Sequence, residues 1–307
     1  MPNFSIVITV YNKELHIANT INSVLSQTVK SFEIIIVDDG STDNSKKVLN
    51  SFKDPRITIY SIQNSGAAAA RNFGIKKATN KLIALLDGDD YWHPFYLEEI
   101  SLLHKLFPNE KIYATALAFR TKHHTYNAKY AIPDKRHQII NYFKGSKIRT
   151  LLSSSSVVIH QEVFDKVGYF DEKIYSGQDT DLWIRIGLHY PISFSKRVCV
   201  DYIDINNSLS NTTVDVNKKC RFDKFEKEEK QNPDLKQILD FNRFSLAILS
   251  KLNNDSKNYQ YFKSKIDVTN LNWKQRLLLK LPSILLVYLT HIKEYLKKNK
   301  IILRVLD

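Results

Sequence analysis

Residues 32–43 read FEIIIVDDGSTD, a short apolar run followed by two acids, a glycine and a helix-capping segment. Four such apolar runs occur in the first third of the chain: Ser5–Val10, Phe32–Val37, Ile57–Ile62 and Leu82–Leu86. Continuous apolar runs are typical of strands buried on both faces. Their starts lie 27, 25 and 25 residues apart, which leaves room for a crossover helix after each strand. The pattern predicts an α/β fold with a mostly parallel, Rossmann-like sheet flanked by helices.

Composition supports a globular protein. The 307 residues are 43% hydrophobic and 25% charged, which excludes a peptide-sized or wholly disordered chain. Cys199 and Cys220 could form at most one bridge and have no metal-ligand spacing, so a reducing compartment is expected. We find neither a secretory signal at the start nor an apolar run of about 18 residues, and we expect a cytoplasmic protein.

The rest of the chain is less regular. A helix is predicted over 94–107, and the polar stretch Lys122–Lys147 is expected to form loops or an insertion. An amphipathic helix is expected over 180–188. From Asn206 the sequence becomes charged and helical. We predict a catalytic domain over 1–205, divided into halves 1–101 and 102–205, and a mainly helical region with a basic amphipathic tail over 206–307.

Polar residues follow three of the predicted strands: Thr9-Val10-Tyr11-Asn12, Asp38-Asp39-Gly40-Ser41 and Asp87-Gly88-Asp89-Asp90. In open α/β sheets ligands bind beyond the carboxyl ends of the strands, so these segments should share one rim. A tyrosine ring and acceptors can hold a base, and carboxylates can hold Mg²⁺ or Mn²⁺ bridging to a diphosphate. The rim therefore predicts a nucleotide-diphosphate site.

Two of these segments also have a purely structural interpretation. The second is typical of a turn with a helix cap, and the Tyr11-Asn12 pair could be simple strand-end packing. The third is more specific, because three acids within four residues repel one another unless a cation is close.

Together these motifs resemble family 2 glycosyltransferases of the GT-A fold. The resemblance covers roughly residues 3–203. The motifs that carry it, in order along the chain, are Ser5–Asn12, Ser23–Thr28, Ile36–Asp43, Gly66, Ala70-Arg71-Asn72, Asp87–Asp90, Ser154-Ser155-Val157, Gly168–Asp171 and Gly177–Arg185.

The resemblance implies roles in donor binding. Thr9, Tyr11 and Asp39 would hold the base, usually uracil, because a carboxylate can accept the ring N–H, and Arg71 would assist them. Asp90 would face the donor sugar or the acceptor.

The resemblance also implies a metal site, with Asp87 near the ribose or the metal and Asp89 on the metal itself. A Mn²⁺ or Mg²⁺ ion there would neutralise the departing nucleoside diphosphate.

Asp179 matches the general base of inverting members, which deprotonates the acceptor hydroxyl. The alternative interpretation of Asp179 is that it caps the N-terminus of the following helix. The family usually has Glu before this Asp, whereas this chain has Gln178, which puts the acceptor contact or the pKa of the base in doubt.

Polymerising relatives carry a QxxRW motif and membrane spans, neither of which we find. The resemblance therefore implies a non-processive enzyme of bacterial surface-polysaccharide assembly, acting on a saccharide or lipid-linked acceptor.

The net charge of +13 favours an anionic partner. Residues 270–307 hold eight Lys or Arg against two acids, among many leucines. This tail fits peripheral contact with an anionic membrane, on the inner face of the cytoplasmic membrane. Packing against the catalytic domain, or a dimer contact, explains the same leucines.

Three rival functions are weaker. A dinucleotide oxidoreductase would need GxGxxG after the first strand, and Thr9–Lys13 contains no glycine. A nucleic-acid binder would show an RNP-like motif or a zinc finger, and we predict no nucleic-acid partner. A catalytically impaired nucleotide-sugar binder or membrane-associated scaffold is favoured only by Gln178.

Overall fold

The computed structural model describes residues 2–121, 124–203 and 213–298, with side chains to residue 292. The chain forms two compact units, residues 1–210 and 211–307. The predicted domain boundary at 205/206 lies outside the described residues, as do the side chains of the basic tail from Lys293 onward.

The first unit contains one sheet of ten described strands in the order β3-β2-β1-β4-β9-β6-β10-β5, with β7 beside β6 and β8 beside β10. The strands are β1 Phe4–Val10, β2 Phe32–Asp38, β3 Ile57–Ser61, β4 Leu82–Asp87, β5 Tyr91–Trp92, β6 Ile112–Arg120, β7 Thr125–Asn127, β8 His137–Ile140, β9 Val157–His160 and β10 Ile192–Ile203. The helices are α1 Ile17–Leu25, α2 Ser45–Leu49, α3 Ala67–Lys77, α4 Tyr96–Leu106, α5 Tyr142–Gly145, α6 Glu162–Val167 and α7 Gln178–His189.

The first four strands form a parallel block. β1 lies between β2 and β4, and β3 pairs with β2, all in parallel. The side chains of β1, β2 and β4 are buried on both faces, which is why these strands show continuous apolar runs rather than alternation, whereas β3 at the edge is only partly buried. The predicted α/β fold is confirmed, and each of these strands lies within one residue of its predicted bounds.

The other half of the sheet is mixed. β9 runs antiparallel between β4 and β6, while β10 runs parallel to β6 with register shifts between Ser195 and Val200. The prediction of loops over 122–147 was wrong in part, because β7, β8 and α5 lie there. β8 obtains its partner from β10, more than 50 residues later, and no local pattern reveals such a pairing.

A buried acid ties α4 to this mixed half. The Glu99 carboxylate is 1% exposed and accepts hydrogen bonds from Arg136 (2.8 Å), His137 (2.6 Å), Ser195 (2.7 Å) and Arg197 (3.1 Å). Burial alone would raise its pKa, but these donors outweigh burial and lower the pKa to about 2. Glu99 therefore fixes α4 against β8 and β10.

The second unit is helical, which confirms the predicted helical C-terminal region. Its helices are α8 Glu226–Gln231, α9 Pro233–Leu252, α10 Ser256–Lys265, α11 Trp273–Lys280 and α12 Ser283–Lys298. Buried Arg243 of α9 pairs with Glu229 at 2.5 Å. Cys220 here and Cys199 in the first unit are both buried free thiols. Within the described ranges, no helix has the length and apolarity needed to cross a bilayer.

Candidate active site

The carboxyl ends of β1, β2 and β4 meet at one edge of the sheet. Thr9 is the register partner of Asp87, and Val10 that of Asp38. The Gly88 N–H donates to the Thr9 carbonyl at 3.0 Å. A Cβ at Gly88 would lie 2.9 Å from that carbonyl oxygen, so only glycine fits this close approach. The sheet thus brings the three predicted segments together.

Asp39 holds the turn that precedes α3. Its two carboxylate oxygens accept the Ser65 N–H at 2.7 Å and the Gly66 N–H at 3.0 Å. The side chain is buried, and burial raises its pKa despite these two donors. Each oxygen has a second lone pair, so the carboxylate can still accept from a ligand. Base binding by Asp39 stays a prediction.

Tyr11 lies at the surface just beyond β1, with 47% of its area exposed. The next residue, Asn12, has a left-handed backbone (φ 52°), and its side chain accepts the Thr42 N–H at 2.8 Å. This bond fixes the loop that carries Tyr11 to the loop after β2. The ring is therefore accessible for stacking, as the sequence predicts for a base-binding residue.

Arg71 of α3 is buried and donates to Asp87 at 2.6 Å. Its guanidinium lies 5.4 Å from the centroid of the Phe170 ring. The Nε and Nη1 atoms are buried with no hydrogen-bond partner among the described residues. Because buried donors are normally satisfied, these two atoms call for an acceptor such as an ordered water or a ligand oxygen.

Lys13 pairs with Asp89 at 2.6 Å, and both side chains are largely buried. Lys13 is not among the site residues predicted from the sequence. The available signal was its position directly after Tyr11-Asn12, opposite a segment with three acids. In this structure Lys13 supplies the positive charge that the acids require.

Asp90 is used inside the protein. It is 1% exposed, and its carboxylate accepts from the Ser155 hydroxyl at 2.5 Å and the Ile203 N–H at 2.9 Å. Burial, reinforced by the charges of Asp89 and Asp87, raises its pKa well above the usual range. Contact of Asp90 with the donor sugar or acceptor stays a prediction, whereas its contacts within the protein link three segments of the unit.

Asp179 belongs to the same cluster. Burial disfavours the charge on Arg71, but the carboxylates of Asp87, Asp179 and Asp89 outweigh burial and raise its pKa. Asp179 is partly exposed at the start of α7, and its Oδ1 accepts the Thr180 N–H at 2.7 Å. The structure therefore places the predicted base within electrostatic reach of the predicted metal ligands.

A salt bridge holds α7 in place. Buried Asp181 pairs with Arg185 at 2.9 Å, and Arg185 donates to the carbonyls of Gly168 (3.1 Å) and Tyr169 (2.8 Å). The start of α7, which carries Asp179, is thereby fixed to the preceding turn. Gln178 is also buried, and its Oε1 has no hydrogen-bond partner in the described part of the chain.

Tyr202 is a site residue that the sequence did not reveal. Burial raises its pKa, and the charges of four carboxylates raise it further, namely those of Asp90, Asp87, Asp89 and Asp179. Tyr202 therefore lies at the acid cluster. It is near the end of β10, a strand that the sequence pattern did not predict because Ser195-Lys196-Arg197 interrupts its apolar run.

The described residues contain no group of three or more His, Cys, Asp or Glu side chains arranged to hold a metal ion. Mg²⁺ in nucleotide sites, however, takes one or two protein carboxylates and completes its shell with phosphate oxygens and water. Asp87 and Asp89 provide that number of hard oxygen ligands at the rim. The residues present therefore fit such an ion.

The fold is shared with solved glycosyltransferases. A crystal structure of TarS 1–349 from S. aureus in complex with UDP-GlcNAc superposes with a TM-score of 0.62 over 90% of this chain and 78% of that one, at 16% identity. The chain thus has the GT-A fold. It belongs to glycosyl transferase family 2, whose family model matches residues 5–168, more than half of the sequence.

Curated relatives agree with this family. The uncharacterized glycosyltransferase RP339 of Rickettsia prowazekii is 31% identical over 65% of this chain and 63% of its own length. WfaP of Escherichia coli, a UDP-Glc:alpha-D-GlcNAc-diphosphoundecaprenol beta-1,3-glucosyltransferase, is 50% identical over 29% of this chain and 36% of its own length. The chain spans between 29% and 67% of the length of the Rickettsia relatives that it matches.

Proposed function

We propose that this protein transfers a sugar from a nucleotide-diphosphate sugar, with UDP the favoured nucleotide, to a hydroxyl of a saccharide or lipid-linked acceptor in polysaccharide assembly. The observation that carries the proposal is that Asp87 and Asp89 lie at the carboxyl edge of the sheet, paired at 2.6 Å with Arg71 and Lys13, and that Asp179 is close enough to raise the pKa of Arg71. The names of WfaP, a UDP-glucose enzyme, and of the TarS complex with UDP-GlcNAc support the choice of donor. Non-processive transfer stays a prediction.

The rim can hold each part of the donor. Tyr11 offers an exposed ring for stacking, and Asp39 keeps free lone pairs for a base N–H. Arg71 has two buried donor atoms without protein partners among the described residues, which suit the negatively charged or carbonyl groups of a nucleotide. Asp87 and Asp89 would hold a Mn²⁺ or Mg²⁺ ion, which when bound would stabilise the charge on the departing diphosphate.

In the reaction Asp179 would accept the proton of the acceptor hydroxyl. The acceptor oxygen then forms a bond to the anomeric carbon while the bond from that carbon to the diphosphate oxygen breaks. The electron pair leaves with the nucleoside diphosphate. Attack from the side opposite the leaving group inverts the anomeric configuration, and a carboxylate at a helix N-terminus keeps its negative charge favourably until it receives the proton.

Donor binding should depend on Asp89. In a thermal-shift screen of UDP-, GDP- and dTDP-sugars with Mn²⁺ or EDTA, we expect one UDP-sugar to stabilise the protein only with metal. At about 100 times the Kd the stabilisation is about 2.7 kcal/mol, or roughly 5–10 °C for a unit of this size. Asp89→Ala should lose this shift, whereas Asp165→Ala, an exposed acid of α6, should keep it.

The screen also separates the competing functions. A metal-dependent shift without transfer or slow donor hydrolysis would favour the impaired binder that Gln178 suggests. The absence of a shift with every nucleotide sugar and metal would contradict the proposed donor site.

Lys13 should compete with the metal for Asp89, since its Nζ lies 2.6 Å from that carboxylate. We expect Lys13→Met to raise the Mn²⁺ affinity of the donor-free protein about fivefold, because an ion pair of this kind contributes roughly 1 kcal/mol. Titration calorimetry with Mn²⁺ measures this, with the exposed lysine variant Lys46→Met as control. An unchanged or weakened Mn²⁺ affinity in Lys13→Met would show that Lys13 does not compete.

A further inference from the structure

The last described helix presents an apolar face to solvent. In α12 the exposed fractions are 79% for Ile284, 47% for Leu285, 64% for Tyr288 and 43% for Leu289. At 100° per residue these side chains occupy one continuous arc, because positions i, i+1, i+4 and i+5 are neighbours on a helix. Isolated exposed apolar residues are ordinary, but a contiguous set of this kind marks an interaction surface.

The opposite side of α12 is already occupied. Leu286 is 3% exposed, and α12 contacts α9 within the second unit. The preceding helix, α11, is anchored by the Tyr259 hydroxyl, which donates to the Leu279 carbonyl at 2.7 Å. The exposed face is thus the side of a docked helix that its own unit leaves uncovered.

The preceding helix, α11, also exposes apolar side chains. Trp273 of α11 is 70% exposed and Leu277 is 49% exposed. Tryptophan and tyrosine combine an apolar ring with a polar atom, and both are enriched where protein meets the headgroup region of a bilayer. We call the exposed apolar residues of α11 and α12 the α11–α12 face: Trp273, Leu277, Ile284, Leu285, Val287, Tyr288 and Leu289.

The segment that carries this face is basic between the flanking acids Asp267 and Glu294. Residues 268–293 contain no Asp or Glu and four Lys or Arg: Lys274, Arg276, Lys280 and Lys293. The first three are exposed on or next to α11. In a two-fold dimer through this face, both copies would bring the same basic residues together, and like charges repel. An anionic partner removes that cost.

We propose that the α11–α12 face docks on the surface of a membrane that contains anionic lipid. The apolar side chains would insert at the boundary between headgroups and acyl chains, and the lysines and arginine would contact lipid phosphates. The arrangement matches an amphipathic helix that lies in the plane of the membrane–water interface. The proposed docking does not depend on the sugar chemistry of the first unit.

Vesicle co-sedimentation of the full chain tests the docking. The probes are vesicles of phosphatidylglycerol and phosphatidylcholine in equal parts and vesicles of phosphatidylcholine alone. We expect binding to the anionic vesicles that high salt weakens, and at least tenfold weaker binding for Ile284→Ser/Tyr288→Ser. Val214→Ser/Val268→Ser, which changes two other exposed apolar residues of the same unit, should bind like the wild type.

Both replaced positions of the α12 variant are exposed, so its melting temperature should stay at the wild-type value. The proposal is overturned if the wild type does not bind anionic vesicles, or if Ile284→Ser/Tyr288→Ser binds them as well as the wild type does. A third outcome also overturns it: the wild type forms a dimer in sedimentation velocity, Ile284→Ser/Tyr288→Ser is a monomer, and neither protein binds vesicles. Donor-binding assays on the same variant report separately on the proposed sugar transfer.

Discussion

Asp179→Asn should lower kcat for sugar transfer by about 10³-fold, within the range that a general base contributes. The donor Kd should change little, because the replacement removes the proton acceptor and keeps the shape. Asparagine can still accept the Thr180 N–H through its side-chain oxygen, as Asp179 does at 2.7 Å. The alternative that Asp179 caps the helix was wrong, because α7 begins at Gln178 and its N-cap is Gly177; the substitution therefore tests the base directly. Release of nucleoside diphosphate with and without acceptor measures the effect.

The matched control is Asp165→Asn, an exposed acid in α6, which should keep wild-type turnover. If Asp179→Asn transfers sugar within tenfold of the wild-type rate, Asp179 is not the base and its role is confined to the helix start. The anomeric configuration of the product, read by NMR, tests inversion independently of the variant.

Glu99→Ala should strongly destabilise the first unit. It removes the common partner of Arg136, His137 and Arg197, and breaking a buried ionic network costs about 3–5 kcal/mol. At roughly 2–4 °C per kcal/mol for a unit of this size, the melting temperature should fall by about 10 °C. Glu98→Ala, the exposed acid next to it, should change the unfolding free energy by less than about 0.5 kcal/mol.

The contribution of Glu99 has a defined pH dependence. Its folded pKa of about 2 lies below the usual value of 4.5, so the contribution is fully present above pH 4.5 and is lost as the pH falls toward 2. The difference in unfolding free energy between the wild type and Glu99→Ala should shrink over that interval. Urea denaturation at several pH values measures it, and a difference that stays constant down to pH 2 would show that the Glu99 charge is not responsible.

The parallel half of the sheet was predictable because its signal is local. β1 to β4 are short apolar runs at regular spacing, and burial of β1, β2 and β4 on both faces leaves few other arrangements for them. β8 and β10 were not predictable, since their pairing joins residues far apart in sequence. In β10 the charged residues Lys196 and Arg197 lie at the register shift, where regular alternation is lost.

Some residues of the candidate site were likewise predictable from the sequence and others were not. Asp87, Asp89 and Asp179 could be selected from the sequence because the motifs that contain them resemble those of a known family. Lys13 and Tyr202 could not, because their importance comes from what the fold places beside them. Asp90 shows the converse: it lies in a strong motif, yet its carboxylate is engaged by Ser155 and Ile203.

The Asp90 contacts also bear on how such enzymes can be recombined. Asp90 lies before residue 101, while its partners Ser155 and Ile203 lie after it, and β5 at Tyr91–Trp92 pairs with β10 from the later half. The halves predicted as 1–101 and 102–205 therefore share strand pairing and hydrogen bonds and are not separate modules. A chimera that exchanges residues 102–203 between relatives keeps a folded rim only if the incoming segment supplies a hydroxyl at position 155 and a strand in the β10 position.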